Sequence, residues 1–437
     1  MSVRKEFGFV EWFRPGEHDR VLKAIDGMVE LDARFIRTHL SWATYHTPEG
    51  APWYDWLIPT LSRKLELLPC IHYTPPSLSR TGRSSGPPRR LRDFADFVDQ
   101  ILTRYGDNFE HVELWNEPNN LLDWDWREDN EWLLFSEMAG EAAWWVRERG
   151  WKPVLGGPCP FDPHWLTLMG KGGVLGTVSA VGFHAFPGTW DSEPRGWLGY
   201  EAHLRDMRSI LDRYNPAAQI WITEAGYSTW RNDEAEQVSR FRDALSAPAD
   251  RIYWYGWQDI PTHIAVQEGA HFDPRHYHLG VADSGGRPKL LYRLLRSRNL
   301  DALDKLNAPI VPRIVRPKAP VAVFGGAGFI GANLADSLMR DGNDVIVFDN
   351  LGRPGVEKNL QWLSSSHGSR LHFVAGDIRD AQAVATVVRE ASGVFHLAAQ
   401  VAVTSSLLDP KDDFSVNAQG TMTILEALRQ VAPETPL

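Results

Sequence analysis

Cysteine is scarce: the 437-residue chain has two, Cys70 and Cys159. Two thiols build neither a disulfide framework nor a cysteine-only zinc site. Long apolar runs are missing, so nothing reads as a bilayer span, and the first residues, MSVRKEFGFVEWF, lack the apolar core of a secretion signal. No Lys/Arg-rich run occurs, and 46 basic against 56 acidic residues leave a net charge of −10. That balance argues against nucleic-acid or membrane partners. Aromatics almost vanish after residue 318: of 19 Trp only Trp362 lies there, and none of the 11 Tyr. The expectation is a cytoplasmic protein with two chemically different regions.

Hydrophobic residues make up 43% and charged residues 23%, which excludes a mostly disordered chain. The length exceeds one ordinary core and points to two or three domains. The Trp-dense region suits flat apolar faces such as those of sugar rings, although most large aromatics simply pack.

Eight apolar segments alternate with amphipathic stretches in this first region. The strand candidates are 6–13, 35–42, 68–73, 112–116, 154–157, 180–186, 219–223 and 252–257. Helical patterns run over 91–105, 130–149, 200–214, 234–245 and 290–298. Eight such units are the pattern of a (β/α)8 TIM barrel; an open doubly wound sheet is the alternative, but it does not normally need eight units and no phosphate-type glycine loop is present here. Domain limits follow at 1–306 for the barrel, 307–320 for a Pro-rich linker, and 321–437 for a second domain.

HVELWNEPNN places Glu117 just past the fourth strand, and QIWITEAGYSTW places Glu224 at the end of the seventh. Both lie at carboxyl ends of strands, the face where barrel sites form. One Glu at a strand end is usually a solvated loop residue. Two that a closed barrel brings to one pocket are the equipment of glycoside hydrolysis, one protonated and one ionised.

These two motifs resemble the clan of (β/α)8 retaining glycosidases, in its beta-xylosidase-like branch. The resemblance implies Glu117 as acid/base and Glu224 as nucleophile, with a carbohydrate substrate and no cofactor for that step. It implies that Asn116 holds the sugar 2-hydroxyl, that Arg37 keeps the nucleophile ionised, that His184 is the strand-six histidine, and that Trp254 or Trp257 floors the sugar. One position departs from the pattern: Phe186 stands where the clan usually has Tyr, and Tyr227 or Tyr255 is the candidate substitute. At least one of Trp124, Trp126 and Trp132 is expected as a sugar platform, with lid packing as the alternative. His263, His271, His276 and His278 match no zinc spacing, and no metal is expected.

A new pattern begins at Val321. VAVF is a strand, Gly325-Gly326-Ala327-Gly328-Phe329-Ile330-Gly331 a glycine turn running into a helix, and DVIVFDN a second strand ending at Asp349 and Asn350. Glycines opening a helix, with an acid about 20 residues on, form a dinucleotide fingerprint. Gly325 and Gly328 would let the backbone approach a pyrophosphate, Gly331 would let the helix pack, and Asp349 would accept from ribose hydroxyls and favour NAD. LHFVAGD and GVFHLAA supply two more strands, and 419–430 a closing helix.

This segment resembles the N-terminal part of the extended short-chain NAD-dependent sugar-nucleotide epimerases, of the CDP-paratose 2-epimerase type. The resemblance implies that Asp377 and Ile378 flank the adenine, that Leu397, Ala398 and Ala399 line the cofactor, and that Asn417 is the family's helix asparagine. That family works through a Tyr-x-x-x-Lys pair, and no Tyr follows residue 318. The expectation is a truncated Rossmann-like half-domain without epimerase chemistry of its own, with an exposed sheet edge open to self-association or a missing half. The whole reads as a glycoside hydrolase fused to the NAD-binding part of an epimerase/dehydratase. Its rivals are a non-catalytic carbohydrate-binding barrel, and an epimerase/dehydratase fragment carrying the barrel as passenger.

Overall fold

A computed structural model of the chain describes residues 6–191, 197–230, 232–264, 273–302, 319–401 and 403–437. Most of the expected linker, 307–318, lies outside the described residues, as does His271. The chain divides into two compact units, Met1–Ser228 with Ser239–Gly286, and Thr229–Val238 with Arg287–Leu437.

The first unit carries a closed parallel barrel of eight strands in sequence order, β1 next to β8. They are β1 (Gly8–Val10), β2 (Phe35–Ser41), β3 (Glu66–His72), β4 (His111–Leu114), β5 (Lys152–Leu155), β6 (Ala180–Ala185), β7 (Gln219–Gly226) and β8 (Arg251–Tyr255). Each strand falls within or close to an expected apolar segment. Toward the amino ends, Val10, Phe35, Leu68, Val154, Ala180, Trp221 and Tyr253 fill the interior as one apolar cluster. Because strand side chains alternate, the next inward positions on β2 are Arg37 and His39, and on β3 Cys70 and His72. The barrel is thus greasy low down and polar toward the carboxyl ends. Surrounding helices bury one stripe: Arg92–Tyr105 buries Phe94, Phe97, Val98, Ile101 and Tyr105, at helical spacing.

The register of β7 shifts against both neighbours. Phe183 pairs with Ile222, but His184 pairs with Glu224, so Thr223 is an extra residue. Against β8, Ile222 pairs with Ile252 and Ala225 with Trp254. This bulge re-aims the strand end that carries Glu224.

The second unit carries a four-stranded parallel sheet, β9 (Val321–Phe324), β10 (Val345–Asp349), β11 (Leu371–Ala375) and β12 (Gly393–His396), in the order β11-β10-β9-β12. That is the order of a Rossmann-like half-sheet. Ala322, Phe324, Ile346, Phe348 and Val394 of the sheet pack with Val384, Val387 and Ile424 of the helices. The expected open edge at β12 has a partner at one point: the Val394 N–H donates to the Pro436 carbonyl at 2.8 Å. Among the described residues no helix is long and apolar enough to cross a membrane.

Candidate active site

Glu117 follows β4 in a turn. Its φ is 34° and that of Trp115 is 71°, in the left-handed region that side chains disfavour. The turn is held by packing, since Trp115 is fully buried and its indole N–H donates to the Asp123 carbonyl at 2.9 Å. Glu224 arrives from the bulged end of β7. Glu117, His184 and Glu224 each present one donor atom, and the three atoms lie within 4.8 Å of one another. All three are buried and offer a donor set that could take a cation. Arg37 already places a positive charge there, its Nη1 donating to Glu224 Oε1 at 2.5 Å.

Arg37 is fully buried and spends its whole fork on this layer. Besides Glu224 it pairs with Glu113 through Nε and donates from Nη2 to Asn116 Oδ1 at 2.7 Å. Asn116 in turn donates to Asp123 Oδ1 at 3.3 Å. Glu117 accepts from Asn120 Nδ2 at 3.1 Å and lies 2.9 Å from His184 Nδ1, which is itself 3.8 Å from Glu224 Oε2.

Burial pushes both glutamates above the usual carboxylate range. For Glu117 the Asn120 hydrogen bond and Arg37 pull the other way. For Glu224 the opposing groups are His184 and Arg37, while Glu117 adds to the rise. Burial lowers His184 to about 4, so its imidazole is neutral at pH 7. Two carboxyls this close favour a single shared negative charge, and Arg37 beside Glu224 decides which one carries it.

A cavity of about 570 Å³ opens above these groups, with Glu11, Trp12, His39, His72, Asn116, Glu117, Asp123, Phe186, Trp190, Glu224, Tyr255 and His276 in its wall. Of the sequence candidates, Glu117, Glu224 and Asn116 face it, and Arg37 and His184 lie directly beneath. Trp254 and Trp257 do not floor it. Trp254 is on the outer face of β8, buried 5.2 Å from the Phe241 ring, and Trp257 packs edge-on at 5.3 Å against Phe9. Tyr227 is also outside the wall, closing over Gly188. Tyr255 holds the place expected of a Trp, its ring 6.0 Å from Phe186. Trp124 is fully buried, and neither it nor Trp126 nor Trp132 lines the cavity.

Of the wall residues just named, six escaped the sequence reading: Glu11, Trp12, His39, His72, Asp123 and Trp190. Alternation on β2 and β3 would have found the two histidines, two residues beyond Arg37 and Cys70 respectively. Trp12 sits with its ring 5.0 Å from the Arg37 guanidinium. Trp190 is fixed by its indole N–H donating to Asp273 at 3.0 Å, and its ring lies 4.7 Å from that of His276, tilted by 40°.

In the second unit the glycine turn joins β9 to the helix Phe329–Arg340. Gly325 has φ 76°, and a Cβ there would meet the Ala398 backbone N at 2.5 Å. A Cβ on Gly331 would meet the Gly325 carbonyl at 2.2 Å, which is the expected tight helix packing. Gly328 differs: its Cβ would meet only Gly325 O, at 3.2 Å, and otherwise face open space at the helix N-terminus. Phe329 and Ile330 are exposed there. Asp349 accepts from the N–H groups of Ala327 at 3.0 Å and Leu351 at 2.9 Å, and burial raises it. Asn350 donates to Asp377, which also takes the Arg379 guanidinium. Ile378 is buried in the sheet–helix core. Leu397 follows β12, its N–H donating to Phe324 O at 2.8 Å, and leads into Ala398 and Ala399; the Ala399 carbonyl accepts from Arg353. Asn417 bridges back to Gln400 in both directions.

Residues 322–436 match the family model described as GDP-mannose 4,6 dehydratase. CDP-paratose 2-epimerase of Salmonella typhi is 46% identical over 110 residues, 25% of this chain and 32% of that protein. The crystal structure of Thermus thermophilus UDP-glucose 4-epimerase in complex with NAD is 37% identical with a TM-score of 0.23, over 27% of this chain and 36% of that one. The chain thus spans about a third of the length of these relatives. A family 39 glycoside hydrolase from Bacteroides cellulosilyticus WH2 is similar in structure, with a TM-score of 0.49 at 15% identity, over 67% of this chain and 63% of that one. The chain joins a closed eight-stranded parallel barrel to a segment similar to part of the epimerases and dehydratases.

Proposed function

We propose that the barrel is a retaining glycoside hydrolase. The observation that carries this reading is the carboxylate spacing: donor atoms of Glu117 and Glu224 lie within 4.8 Å of each other across a cavity. Retaining enzymes set their two carboxyls about 5–5.5 Å apart, whereas inverting ones leave room for a water at about 6.5–9.5 Å. Glu224, held ionised by Arg37, attacks the anomeric carbon. Glu117 gives its proton to the leaving oxygen as the glycosidic bond breaks. Glu117 then takes a proton from water, and that water displaces Glu224 from the sugar with net retention. Asn116, oriented by Arg37 and Asp123, takes the 2-hydroxyl. The step needs no cofactor.

The test is turnover of aryl glycosides by Glu224→Ala and Glu117→Ala. Each variant is expected to lose roughly 100- to 10,000-fold in kcat. Azide restores turnover in Glu224→Ala and yields a glycosyl azide of opposite anomeric configuration. Wild-type rates in both variants contradict the assignment. One observation favours a second reading, a carbohydrate-binding barrel without catalysis: Phe186, not Tyr, lines the cavity that Glu224 faces. Tyr255 in the cavity wall answers it, offering a hydroxyl from the adjacent strand.

The domain limits 1–306, 307–320 and 321–437 belong to the same proposal. So does NAD binding by the last segment, which the open face of Gly328 supports. Gly325, Gly328 and the helix N-terminus would hold the pyrophosphate, and Asp349, Asp377 and the Leu397–Ala398–Ala399 stretch the rest. When bound, NAD supplies hydride transfer. With no Tyr after residue 318, this segment lacks the tyrosine acid/base for that chemistry. Two free cysteines fit a cytoplasmic location. Exposed Leu407, Leu408 and Phe414 support self-association of the second unit.

A further inference from the structure

We propose that Arg293 positions the ribose end of the NAD site by holding the backbone carbonyl of Leu351. This rests on the reading that the second unit binds NAD, and adds to it a residue from outside the 322–436 match. Arg293 lies in the helix Leu290–Arg296, whose residues up to Leu295 are all buried. It belongs to the same compact unit as the four-stranded sheet. A helix buried on every side is a core element, so a guanidinium within it needs partners.

The Arg293 side chain spends its fork on backbone carbonyls. Nη2 donates to Leu351 O at 2.7 Å and Nη1 to Pro288 O at 3.0 Å. Its Nε has no hydrogen-bond partner among the described residues, but Glu357 Oε2 stands 3.7 Å away and accepts from the Gly355 N–H. Glu357 thus supplies the opposite charge that a buried cation requires. Leu351 is the point that needs holding. It is fully buried with φ 54°, a left-handed backbone that leucine disfavours. Its N–H donates to Asp349 Oδ1 at 2.9 Å, while Asp349 Oδ2 accepts from the Ala327 N–H at 3.0 Å. One side of Leu351 is therefore tied to Arg293 and the other to the carboxylate proposed for the ribose hydroxyls. Releasing the carbonyl lets Leu351 relax to negative φ, which swings its N–H off Asp349 and misaims that carboxylate. Arg293 acts through Asp349 and does not itself touch the cofactor.

The experiment is calorimetric titration of the whole chain with NAD, in wild type, Arg293→Ala, Arg293→Lys, Asp349→Asn and the Arg293→Ala/Asp349→Asn double variant. Arg293→Ala is expected to weaken binding roughly tenfold. Arg293→Lys, which keeps the charge but not the planar fork, should recover part of that loss. With Asp349→Asn already present, Arg293→Ala should cost little more, because both changes act on one contact. Wild-type affinity in Arg293→Ala, or losses that simply add, overturns the proposal. If wild type takes up no NAD, the cofactor reading fails by itself. Hydrogen exchange of the ligand-free chain then decides. Faster exchange of amides 349–353 in Arg293→Ala, with those of 384–388 in the helix Ala381–Glu390 unchanged, upholds the brace. Unchanged exchange at 349–353, or faster exchange in both segments, overturns it.

Discussion

Glu117 and Glu224 share a pocket but not an environment. Arg37 bonds Glu224 directly, while Glu117 has neutral partners in Asn120 and His184. Burial raises both. Glu224 must be ionised, so the rate falls as pH drops through its pKa; Glu117 must be protonated, so the rate falls as pH climbs through its own. A bell-shaped kcat/KM profile is expected, with both limbs above the ordinary carboxylate range near 4.3. Glu117→Gln, assayed with a substrate whose leaving group needs no proton, should flatten the alkaline limb and keep the acid one. An alkaline limb that survives in Glu117→Gln contradicts the acid/base role. That these two glutamates share a pocket was legible because WNEP and TEAGYS place each at the end of a barrel strand. The aromatic floor was not, because YWYGW has an aromatic at four of its five positions, on both faces of the strand. Only the register of β8 against β7 decides that Tyr255 faces in and Trp254 out, and a one-residue slip reverses every face.

The eight strands of the barrel were readable as apolar segments between helices of 3.6 periodicity. What the pattern does not contain is the irregularity that makes the site. The bulge at Thr223 and the left-handed backbone at Glu117 come from tertiary fit rather than local preference. A second hidden feature is the backbone contact between β6 and the segment after β5. A Cβ on Gly182 would meet Thr223 Oγ1 at 2.5 Å and the Gly157 N at 2.7 Å. Overpacking at such a point costs typically about 1–3 kcal/mol. Gly182→Ala is therefore expected to lower stability by that amount in urea melts and to cut kcat by displacing Glu224 through Thr223. Gly173→Ala is the contrasting case: its Cβ meets nothing, but φ is 83°, so its loss comes from strain and leaves the kinetics intact.

At the scale of the molecule, two unlike units meet in one chain. The change in aromatic content near residue 318 announced this, as did the second glycine-rich pattern. The relatives of the second unit extend well beyond what this chain matches, so the proposed binding of NAD is tested on this chain directly. Calorimetric titration with NAD should show one site, and Gly328→Glu, which places a carboxylate in the open space before the helix, should abolish it while leaving glycoside turnover unchanged. Heat of binding that survives Gly328→Glu contradicts the assignment.

The central claim is that two distant glutamates act on one anomeric carbon from opposite sides at short range. Proton NMR of the first product formed from an aryl glycoside reads this directly, before mutarotation sets in. The sugar is expected to emerge with the anomeric configuration of the substrate, and Glu224→Ala to release none. Release of the opposite anomer by the wild-type chain would contradict the account.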